Sequence, residues 1–347
     1  MSNETANKFG VLKYSSQNIG DEIQSIAAMR FLPQIDYYIH RERTDKFVSD
    51  NHEKVKIIMN AWWMWNSSHF PPSDDIEPLL ISMHLREATR EKFLSEKTIK
   101  FLKKYGPVGC RDTSTLKYLK ANKIDAYFSG CLTLALQGNP KLKSLQRSQY
   151  ILCVDTPERI TERVKERTDI PVYSLTRMLS PSMSSVDRME LSKHILYLYH
   201  NAHCVVTPRL HVTLPCIAFE TPVLLIELME SSGRGRFDGM QNLYNKCGEL
   251  DFTLKKNIYN FEKPKANPEA YLSVKESLIK TCAEFTGFNN TGPLFEENYE
   301  PLIELMNILK YDYANVKRTL WFAEEKDLLE VLFKKQNQKK TKHDLQY

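Results

Sequence analysis

Short apolar runs rich in β-branched residues alternate with segments of helical periodicity along most of the 347-residue chain. This alternation is typical of an open, mostly parallel β-sheet whose strands are connected by helices, so the pattern predicts an α/β fold. Strands are predicted over residues 9–14, 55–59, 79–83, 107–110, 126–129, 150–155, 172–175, 204–207 and 222–226. Helices are predicted over residues 21–31, 88–105, 113–121, 157–167, 186–200, a segment after 211, 268–285, 302–309 and 313–335.

A stretch of turn-forming residues and lysines at 138–144 interrupts this pattern and divides the strands into two series. We therefore expect two Rossmann-like domains, over residues 9–140 and 148–250, and a helical extension over 251–347 that ends in a basic tail. Ligands of such sheets bind beyond the carboxyl ends of the strands. A ligand site is thus expected in a cleft where the two domains face each other.

Composition narrows the functional classes. With 42% apolar and 26% charged residues the chain has an ordinary globular composition, and a net charge of +5 does not indicate a dedicated nucleic-acid-binding protein. No apolar run is long enough for a membrane helix and the N-terminal residues lack a signal-peptide pattern, so a cytoplasmic location is expected. The lysines near the C-terminus form either a solvated end or a contact with anionic lipid at the inner face of the membrane.

The motifs predict neither a metal nor a nucleotide cofactor. The seven cysteines contain no Cys-x-x-Cys spacing, which indicates reduced core residues rather than zinc ligands. The first predicted strand-to-helix loop, residues 15–22, holds one glycine and so lacks the dinucleotide and P-loop fingerprints. Asn18 and Asp21 in this loop are interpreted either as helix caps or as groups that hold a sugar.

The tripeptide Arg209-Leu210-His211 follows a β-rich run and precedes a predicted helix. Residues two apart on an extended segment point the same way, so Arg209 and His211 are expected to face one pocket while Leu210 packs in the core. Arginine binds carboxylate or phosphate, and histidine exchanges protons near neutral pH. The tripeptide therefore indicates proton chemistry on a small anion, with a salt bridge and a polar cap as the simpler structural alternative.

Other basic side chains are predicted at the same edge of the sheets. His84 and Arg111 follow two strands of the first series, and Arg177 follows one strand of the second. The glycine-rich loop after the last predicted strand carries Arg234 and Arg236, either of which could clamp an anion if the loop closes.

An aromatic segment, Asn60-Ala61-Trp62-Trp63-Met64-Trp65-Asn66, follows the predicted strand 55–59. Tryptophan is costly to expose, which favours buried packing, but an indole ring can also stack on the C–H face of a sugar. Both interpretations stay open at the level of the sequence. Asn60, Trp62 and Trp63 are the residues predicted to contact a sugar, together with Asn18, Asp21 and Arg177.

Several of these segments resemble the polysaccharide pyruvyl transferase family. The similar segments run in order at residues 18–25, 71–73, 78–84, 109–114, 129–134, 207–211 and 221–223, and Arg209-Leu210-His211 with its flanks is the most specific of them. The resemblance implies a fold like that of the GT-B glycosyltransferases. It also implies transfer of a pyruvyl group from phosphoenolpyruvate to two hydroxyls of a sugar or lipid-linked oligosaccharide, which forms a cyclic ketal in cell-surface polysaccharide.

By the same resemblance, Arg209 and His211 contact phosphoenolpyruvate, and Arg111 and His84 complete the site. The donor-binding set is then Arg111, Arg209, Leu210, Arg234 and Arg236. Protonation of the methylene carbon and deprotonation of a sugar hydroxyl need groups that titrate near neutrality, so His211 and His84 are the catalytic candidates and His211 is expected to be the acid.

The chain departs from the family pattern at two positions, where a glycine would be expected at Ala61 and a histidine at Arg177. Both departures concern acceptor binding more than donor chemistry. Two alternatives stay open: a glycosyltransferase of the same architecture that uses a nucleotide-sugar, and a sugar- or anion-binding homologue without catalytic activity.

Overall fold

Parallel strands form the framework of the protein in a computed structural model that describes residues 7–144, 148–176, 184–229, 234–255 and 259–295. Within these residues the chain forms thirteen strands: β1 Lys8–Lys13, β2 Tyr37–His40, β3 Val55–Ile58, β4 Trp62–Trp63, β5 Ile76–Leu79, β6 His84–Leu85, β7 Val108–Cys110, β8 Ala126–Phe128, β9 Ser148–Val154, β10 Val172–Leu175, β11 Ala202–Thr207, β12 Val223–Glu227 and β13 Asn245–Gly248. The same residues form ten α-helices: α1 Ile19–Met29, α2 Arg90–Phe93, α3 Glu96–Tyr105, α4 Thr113–Ala121, α5 Pro140–Ser144, α6 Glu158–Lys165, α7 Ser185–Asn201, α8 Leu210–Ala218, α9 Glu249–Leu254 and α10 Tyr271–Thr286. Single-turn and two-turn 3-10 helices lie at Arg41–Lys46, Asp50–His52, Ser67–His69, Glu87–Thr89, Leu132–Ala135 and Arg234–Phe237.

The second series of strands forms one five-stranded sheet in the order β10-β9-β11-β12-β13. Every neighbouring pair in it is parallel. Alternate residues of the central strand β11 enter two different hydrophobic clusters, Val205 one and Val206 the other, so apolar side chains cover both faces of the sheet. This two-sided burial is why the central strands β11 and β12 are apolar runs in the sequence. The edge strand β13 was not predicted, because its polar residues Asn245 and Lys246 give no apolar pattern.

The first series does not form a single sheet, which corrects the prediction. Four strands form a parallel sheet in the order β2-β1-β3-β5, while β4 pairs with β6 and β7 pairs with β8 in separate two-stranded sheets. Ser82 has a left-handed φ of 53°, so the chain bends after β5 and the segment beginning at His84 pairs with Trp62 instead. An isolated bridge between Met83 and Cys110 connects the two short sheets.

The helix predicted over residues 88–105 is divided into α2 and α3. Leu94 between them has a ψ of 58°, which is outside the helical region. Ser95 then starts a new helix, because its hydroxyl accepts a hydrogen bond from the backbone N–H of Thr98. The serine in the middle of an otherwise helical pattern is thus a helix start rather than an interior residue.

The two larger sheets share one hydrophobic cluster. Phe9 and Val11 of β1 belong to it, and so do Leu152 of β9 and Val205 of β11. Helix α1, which follows β1, packs directly against α7 and α8 of the second series. The core therefore continues without interruption from one sheet to the other.

The segment after α10 also joins the two parts of the protein. The backbone N–H of Asn290 donates to the carbonyl of Arg30, and the side chain of Asn139 donates to the carbonyl of Phe295. The ring of Phe295 packs edge-on against Tyr197 and Phe219 of the second series. We call residues 287–295 the C-terminal strap.

Three further predictions concern the C-terminal helices, the cysteines and a membrane helix. The helices predicted at 302–309 and 313–335, and the basic tail, lie outside the described residues. All seven cysteines are buried, and no disulfide links them. Among the described helices, none combines the length and the apolar character needed to cross a bilayer.

Candidate active site

A cavity of about 690 Å³ lies at the carboxyl ends of strands from both halves of the protein. It is bordered by the residues that follow β1, β7, β11, β12 and β13, among them Asn18, Arg111, Arg209, Met229 and Glu249. Placement beyond the carboxyl ends of parallel strands is where α/β proteins bind their ligands. The cavity is therefore the candidate active site.

The tripeptide Arg209-Leu210-His211 forms the junction between β11 and α8. Arg209 is the N-cap of the helix with an extended backbone, Leu210 is buried, and His211 lies in the first turn. The helix thus begins at Leu210 and includes His211, whereas the predicted helix began after His211. All three residues line the cavity. Arg209 is half-exposed, and its Nε lies 3.3 Å from Oδ2 of Asp155.

His211 meets Arg111 at the base of the cavity, although the two residues are 100 positions apart in the chain. Nη1 of Arg111 lies 3.3 Å from Nε2 of His211 and 3.3 Å from Oε1 of Gln24. Arginine has only donors, so a hydrogen bond between the two requires Nε2 of the histidine to accept. Arg111 is 1% exposed, and its Nε has no hydrogen-bond partner among the described residues. A buried guanidinium with an unfilled donor at a cavity is suited to bind an anion.

The first turn of α1 holds this pair in place. Asn18 caps the helix by accepting a hydrogen bond of 2.9 Å from the N–H of Gly20, which agrees with its interpretation as a helix cap. Gly20 lies against the imidazole: a Cβ at this position would be 2.7 Å from Nδ1 of His211. Gln24, one turn later, contacts Arg111. Sequence reasoning missed Gln24, because a glutamine inside a helical pattern carries no signal of its own.

Replacing Gly20 with alanine should lower turnover at least about tenfold without unfolding the protein. Alanine suits a helix better than glycine by about 1 kcal/mol, so the local fold is not weakened. The added methyl group must instead displace the His211 ring. Steady-state kinetics and thermal unfolding of the variant measure the two effects separately. Unchanged kinetics would show that the close packing of the ring is not required.

Asp21 is held in an ion pair rather than presented to the cavity as a free carboxylate. Its Oδ2 lies 3.2 Å from Nη1 of Arg41 and 2.5 Å from the hydroxyl of Ser16. Arg41 is itself 2% exposed, and its guanidinium stacks over the rings of Tyr14 and Trp62. Arg41 was not predicted, because the strand before it, β2, was not recognised.

The aromatic segment divides between core and cavity. Trp63 is fully buried, and Asn60 is 1% exposed with its amide donating to the carbonyl of Gln24, so neither lines the cavity and both predicted assignments are corrected. Trp62 lines the cavity as predicted, and Trp65 joins it with 60% of its surface exposed. Successive residues of a strand face opposite sides, which separates the two adjacent tryptophans.

The remaining predicted arginines have different positions. Arg236 lines the cavity and is exposed. The side chain of Arg234 and the whole of Arg177 lie outside the described part of the chain. Arg86, which the sequence did not single out, lines the cavity after β6. Within the described residues, no cluster of three or more histidine, cysteine or acidic side chains could hold a metal ion.

His84 is a buried structural residue, which corrects its prediction as a cavity group. It is 3% exposed, does not line the cavity, and its Nδ1 lies 2.5 Å from Oδ2 of Asp112. Burial and the nearby Arg111 lower the pKa of His84 from 6.5 to about 4, although the Asp112 carboxylate acts in the other direction. Asp112 also caps α4 by accepting from the N–H of Thr115, so the pair fixes the chain next to Arg111.

The pKa of His84 predicts a pH-dependent stability. The unfolded chain binds the His84 proton below about pH 6.5 but the folded chain only near pH 4, so stability from this residue is lost as the pH falls through that window. Wild type should therefore lose about 3 kcal/mol relative to His84→Gln between pH 7 and pH 4. Urea unfolding of both proteins at several pH values measures this difference.

The comparison with His84→Gln is needed because Glu22 acts in the opposite direction. Burial raises the pKa of Glu22 to about 7, so the folded state gains stability by protonating this carboxyl as the pH falls. A constant difference between wild type and His84→Gln would contradict the assignment.

Part of the chain resembles a known protein family. Residues 81–228 match the family model of the polysaccharide pyruvyl transferases. The pyruvyl transferase match includes Arg111, Arg209 and His211 and confirms the resemblance over this range. Trp62, Trp65 and Arg236 lie outside the matched residues.

Solved structures share a weaker likeness to the chain. A functionally uncharacterised protein from Klebsiella pneumoniae subsp. pneumoniae has 15% identity and a TM-score of 0.42, over 67% of this chain and 87% of that one. A UDP-N-acetylglucosamine 2-epimerase has 11% identity and a TM-score of 0.36, over 88% and 98%. The UDP-GlcNAc 2-epimerase of Methanocaldococcus jannaschii has 11% identity and a TM-score of 0.33, over 86% and 99%. No curated protein matches the sequence.

Proposed function

We propose that the protein transfers the pyruvyl group of phosphoenolpyruvate to two hydroxyls of a sugar, forming a cyclic ketal in the synthesis of cell-surface polysaccharide. The proposal takes residues 9–140 and 148–250 as two Rossmann-like halves of a GT-B-like enzyme. The contact that carries it is the one between Arg111 and His211, where an anion-binding group from one half meets a proton-transfer group from the other at 3.3 Å.

The charges of the cavity suit this donor. Phosphoenolpyruvate carries a carboxylate and a phosphate, and each is recognised by the planar guanidinium of arginine. Arg111, Arg209 and Arg236 all line the cavity and supply three such groups. Arg111 is buried and offers a fixed position, while Arg209 and Arg236 are more exposed and are suited to follow the donor as it enters.

The reaction balances without a further reactant. The two sugar oxygens each form a bond to C2 of phosphoenolpyruvate, and the bond from C2 to the phosphate oxygen breaks. The methylene carbon gains one proton and becomes a methyl group. Of the two hydroxyl protons that are lost, one is therefore carried to this carbon and the other leaves with the phosphate.

His211 is the residue that we assign to proton transfer. Histidine exchanges protons near neutral pH, so the His211 imidazole can donate a proton to the methylene carbon and take one from the attacking hydroxyl. Trp62, Asn18 and Asp21 are assigned to the acceptor side, where the indole gives a sugar an apolar surface.

A nucleotide-sugar glycosyltransferase would need a carboxylate to bind ribose hydroxyls. Among the described residues, three carboxylates line the second half of the cavity, and each has a partner. Glu227 pairs with Lys246 at 2.9 Å, Glu249 pairs with Arg159 and accepts from the N–H of Met229, and Asp238 lies 3.4 Å from the side-chain amide of Gln241. This arrangement favours the pyruvyl transferase over the glycosyltransferase.

The test is incubation with phosphoenolpyruvate and a panel of hexosides. We expect release of inorganic phosphate and a product that mass spectrometry identifies as the pyruvate ketal. Transfer from UDP- or GDP-hexoses without consumption of phosphoenolpyruvate would overturn the proposal. If the protein binds phosphoenolpyruvate but releases no phosphate with any of the acceptors, it is instead a non-catalytic binding protein.

A further inference from the structure

One part of the cavity wall combines two indole rings with a guanidinium, in the cluster Trp62, Trp65 and Arg86, which we call the outer subsite. We propose that the outer subsite binds an anionic group, a phosphate ester or a carboxylate, carried by the acceptor sugar. The inference rests on the proposed function, because it names a property of the acceptor in that reaction.

Trp65 is exposed in a fixed position. Its side chain is 60% exposed, although burial of an indole is strongly favoured. The Glu42 carboxylate accepts a hydrogen bond of 3.0 Å from the backbone N–H of Trp65, and the ring packs edge-on against Trp62 with centroids 4.9 Å apart. The exposed face is therefore part of an ordered arrangement that leaves an apolar surface open at the cavity.

Arg86 carries the charge of the outer subsite. Its guanidinium carbon lies 4.4 Å from the ring centre of Trp65 and 5.9 Å from that of Trp62, which are cation–π distances. Among the described residues no carboxylate forms an ion pair with Arg86. Stacking fixes the plane of a guanidinium but leaves its N–H donors available for an anion.

Arg41 provides a contrast within the same wall. It also stacks on Trp62, at 5.1 Å, but it pairs with Asp21 at 3.2 Å and with Glu42 at 2.9 Å. Its charge is thus compensated by two carboxylates, whereas within the described part of the chain Arg86 has no such partner. The difference points to Arg86 as the residue with affinity for a charged ligand.

The outer subsite is separate from the proposed donor site. His211 contacts Gly20, the next residue Asp21 pairs with Arg41, and Arg41 in turn stacks on Trp62, before Arg86 is reached. The donor already has its own arginines, Arg111, Arg209 and Arg236. A second anion-binding position next to the indole rings suits a sugar whose ring packs on Trp62 and Trp65 and whose anionic group contacts Arg86.

Binding can be measured directly from tryptophan emission, with phosphoenolpyruvate present. The probes are a hexose 1-phosphate, the methyl hexuronide and the neutral methyl hexoside of the same sugar. We expect at least one charged probe to bind ten- to a hundredfold more tightly than the neutral one, since a hydrogen bond to a charged group contributes about 1.5–3 kcal/mol. The two charged probes distinguish a phosphate from a carboxylate.

Arg86→Gln should abolish this preference while leaving the affinity for the neutral hexoside and for phosphoenolpyruvate unchanged. Arg43→Gln is the matched control, because it removes the same charge from an exposed arginine of the neighbouring segment that does not line the cavity. Trp65→Phe should reduce the emission change and so locate the probe. Equal affinities for all three probes, or a preference that survives Arg86→Gln, would overturn the inference.

The failure of the inference and that of the proposed function give different results. Phosphoenolpyruvate could be consumed equally well with neutral and charged hexosides, and Arg86→Gln could leave the KM of both hexosides unchanged. In that case the assignment of the outer subsite is wrong and the proposed function stands. If a charged probe binds through Arg86 but no phosphate is ever released, the function is wrong and the subsite stands. A tenfold loss of phosphoenolpyruvate affinity in Arg86→Gln would place this arginine in the donor site and overturn the inference.

Discussion

Phosphate release from phosphoenolpyruvate should fall by about 10²–10⁴-fold when His211 is replaced by alanine, the range expected for loss of a general acid–base group. The imidazole is the titratable side chain in direct contact with Arg111 at the base of the cavity. The affinity for phosphoenolpyruvate should change much less, because the arginines that bind its anionic groups stay in place. Steady-state kinetics with the best hexoside acceptor measure kcat, and calorimetry measures donor binding.

His203→Ala is the matched control for this variant. His203 lies at the opposite end of β11, and its Nε2 hydrogen-bonds to the carbonyl of Phe261 at 2.9 Å, far from the cavity-lining residues. Its turnover should stay close to wild type. If His211→Ala keeps the wild-type rate, or if both variants lose activity equally, the assignment of proton transfer to His211 is wrong.

Replacing Glu22 with leucine should lower the free energy of unfolding by about 3–5 kcal/mol, the cost of leaving one member of a buried ion pair alone. Glu22 on α1 and Arg188 on α7 are each 1% exposed, and Nη2 of Arg188 lies 2.6 Å from Oε1 of Glu22. Arg188 also donates to the backbone carbonyl of Ser16 in the loop that lines the cavity. Urea unfolding at neutral pH measures the loss.

The two members of the pair should not be equivalent. Arg188→Met should cost less than Glu22→Leu, because the carboxyl can take up a proton when its partner is removed, whereas a guanidinium stays charged. Burial already raises the pKa of Glu22 to about 7. The double variant Glu22→Leu/Arg188→Met should be more stable than the sum of the single losses predicts. Additive losses would show that the two side chains are not coupled.

The fold could be predicted from the sequence wherever a strand is buried on both faces. Four of the five strands of the second sheet were predicted, since the central ones are apolar runs, and α4 was predicted with its observed bounds, Thr113–Ala121. The first half was less predictable. Its division into three small sheets depends on the left-handed conformation of Ser82, for which a serine gives no sequence signal, and on pairings between two-residue strands.

The candidate site was predictable in its chain positions but not in the orientation of its side chains. Arg209, Arg111 and His211 were expected at strand ends and are brought to one cavity. The sequence could not decide which of the adjacent Trp62 and Trp63 faces the cavity, because both are apolar and the strand is too short to show alternation.

His84 and Arg86, two residues apart, also show that side-chain orientation could not be predicted from the sequence. The histidine was predicted as catalytic and is buried against Asp112, while the arginine was overlooked and lines the cavity. Burial of a histidine and stacking of an arginine are both consequences of tertiary contacts, so neither could be derived from local pattern.

The C-terminal strap has a consequence for how ligands enter. The strap bonds to Arg30 in one half and inserts Phe295 among aromatic rings of the other, and the hydrophobic cluster beneath it is common to both sheets. A clamshell opening of the two halves would have to expose that shared core and withdraw Phe295 from its neighbours. We therefore expect substrates to enter without a hinge rotation of the two halves, so turnover should depend little on solvent viscosity compared with enzymes that close by such a rotation.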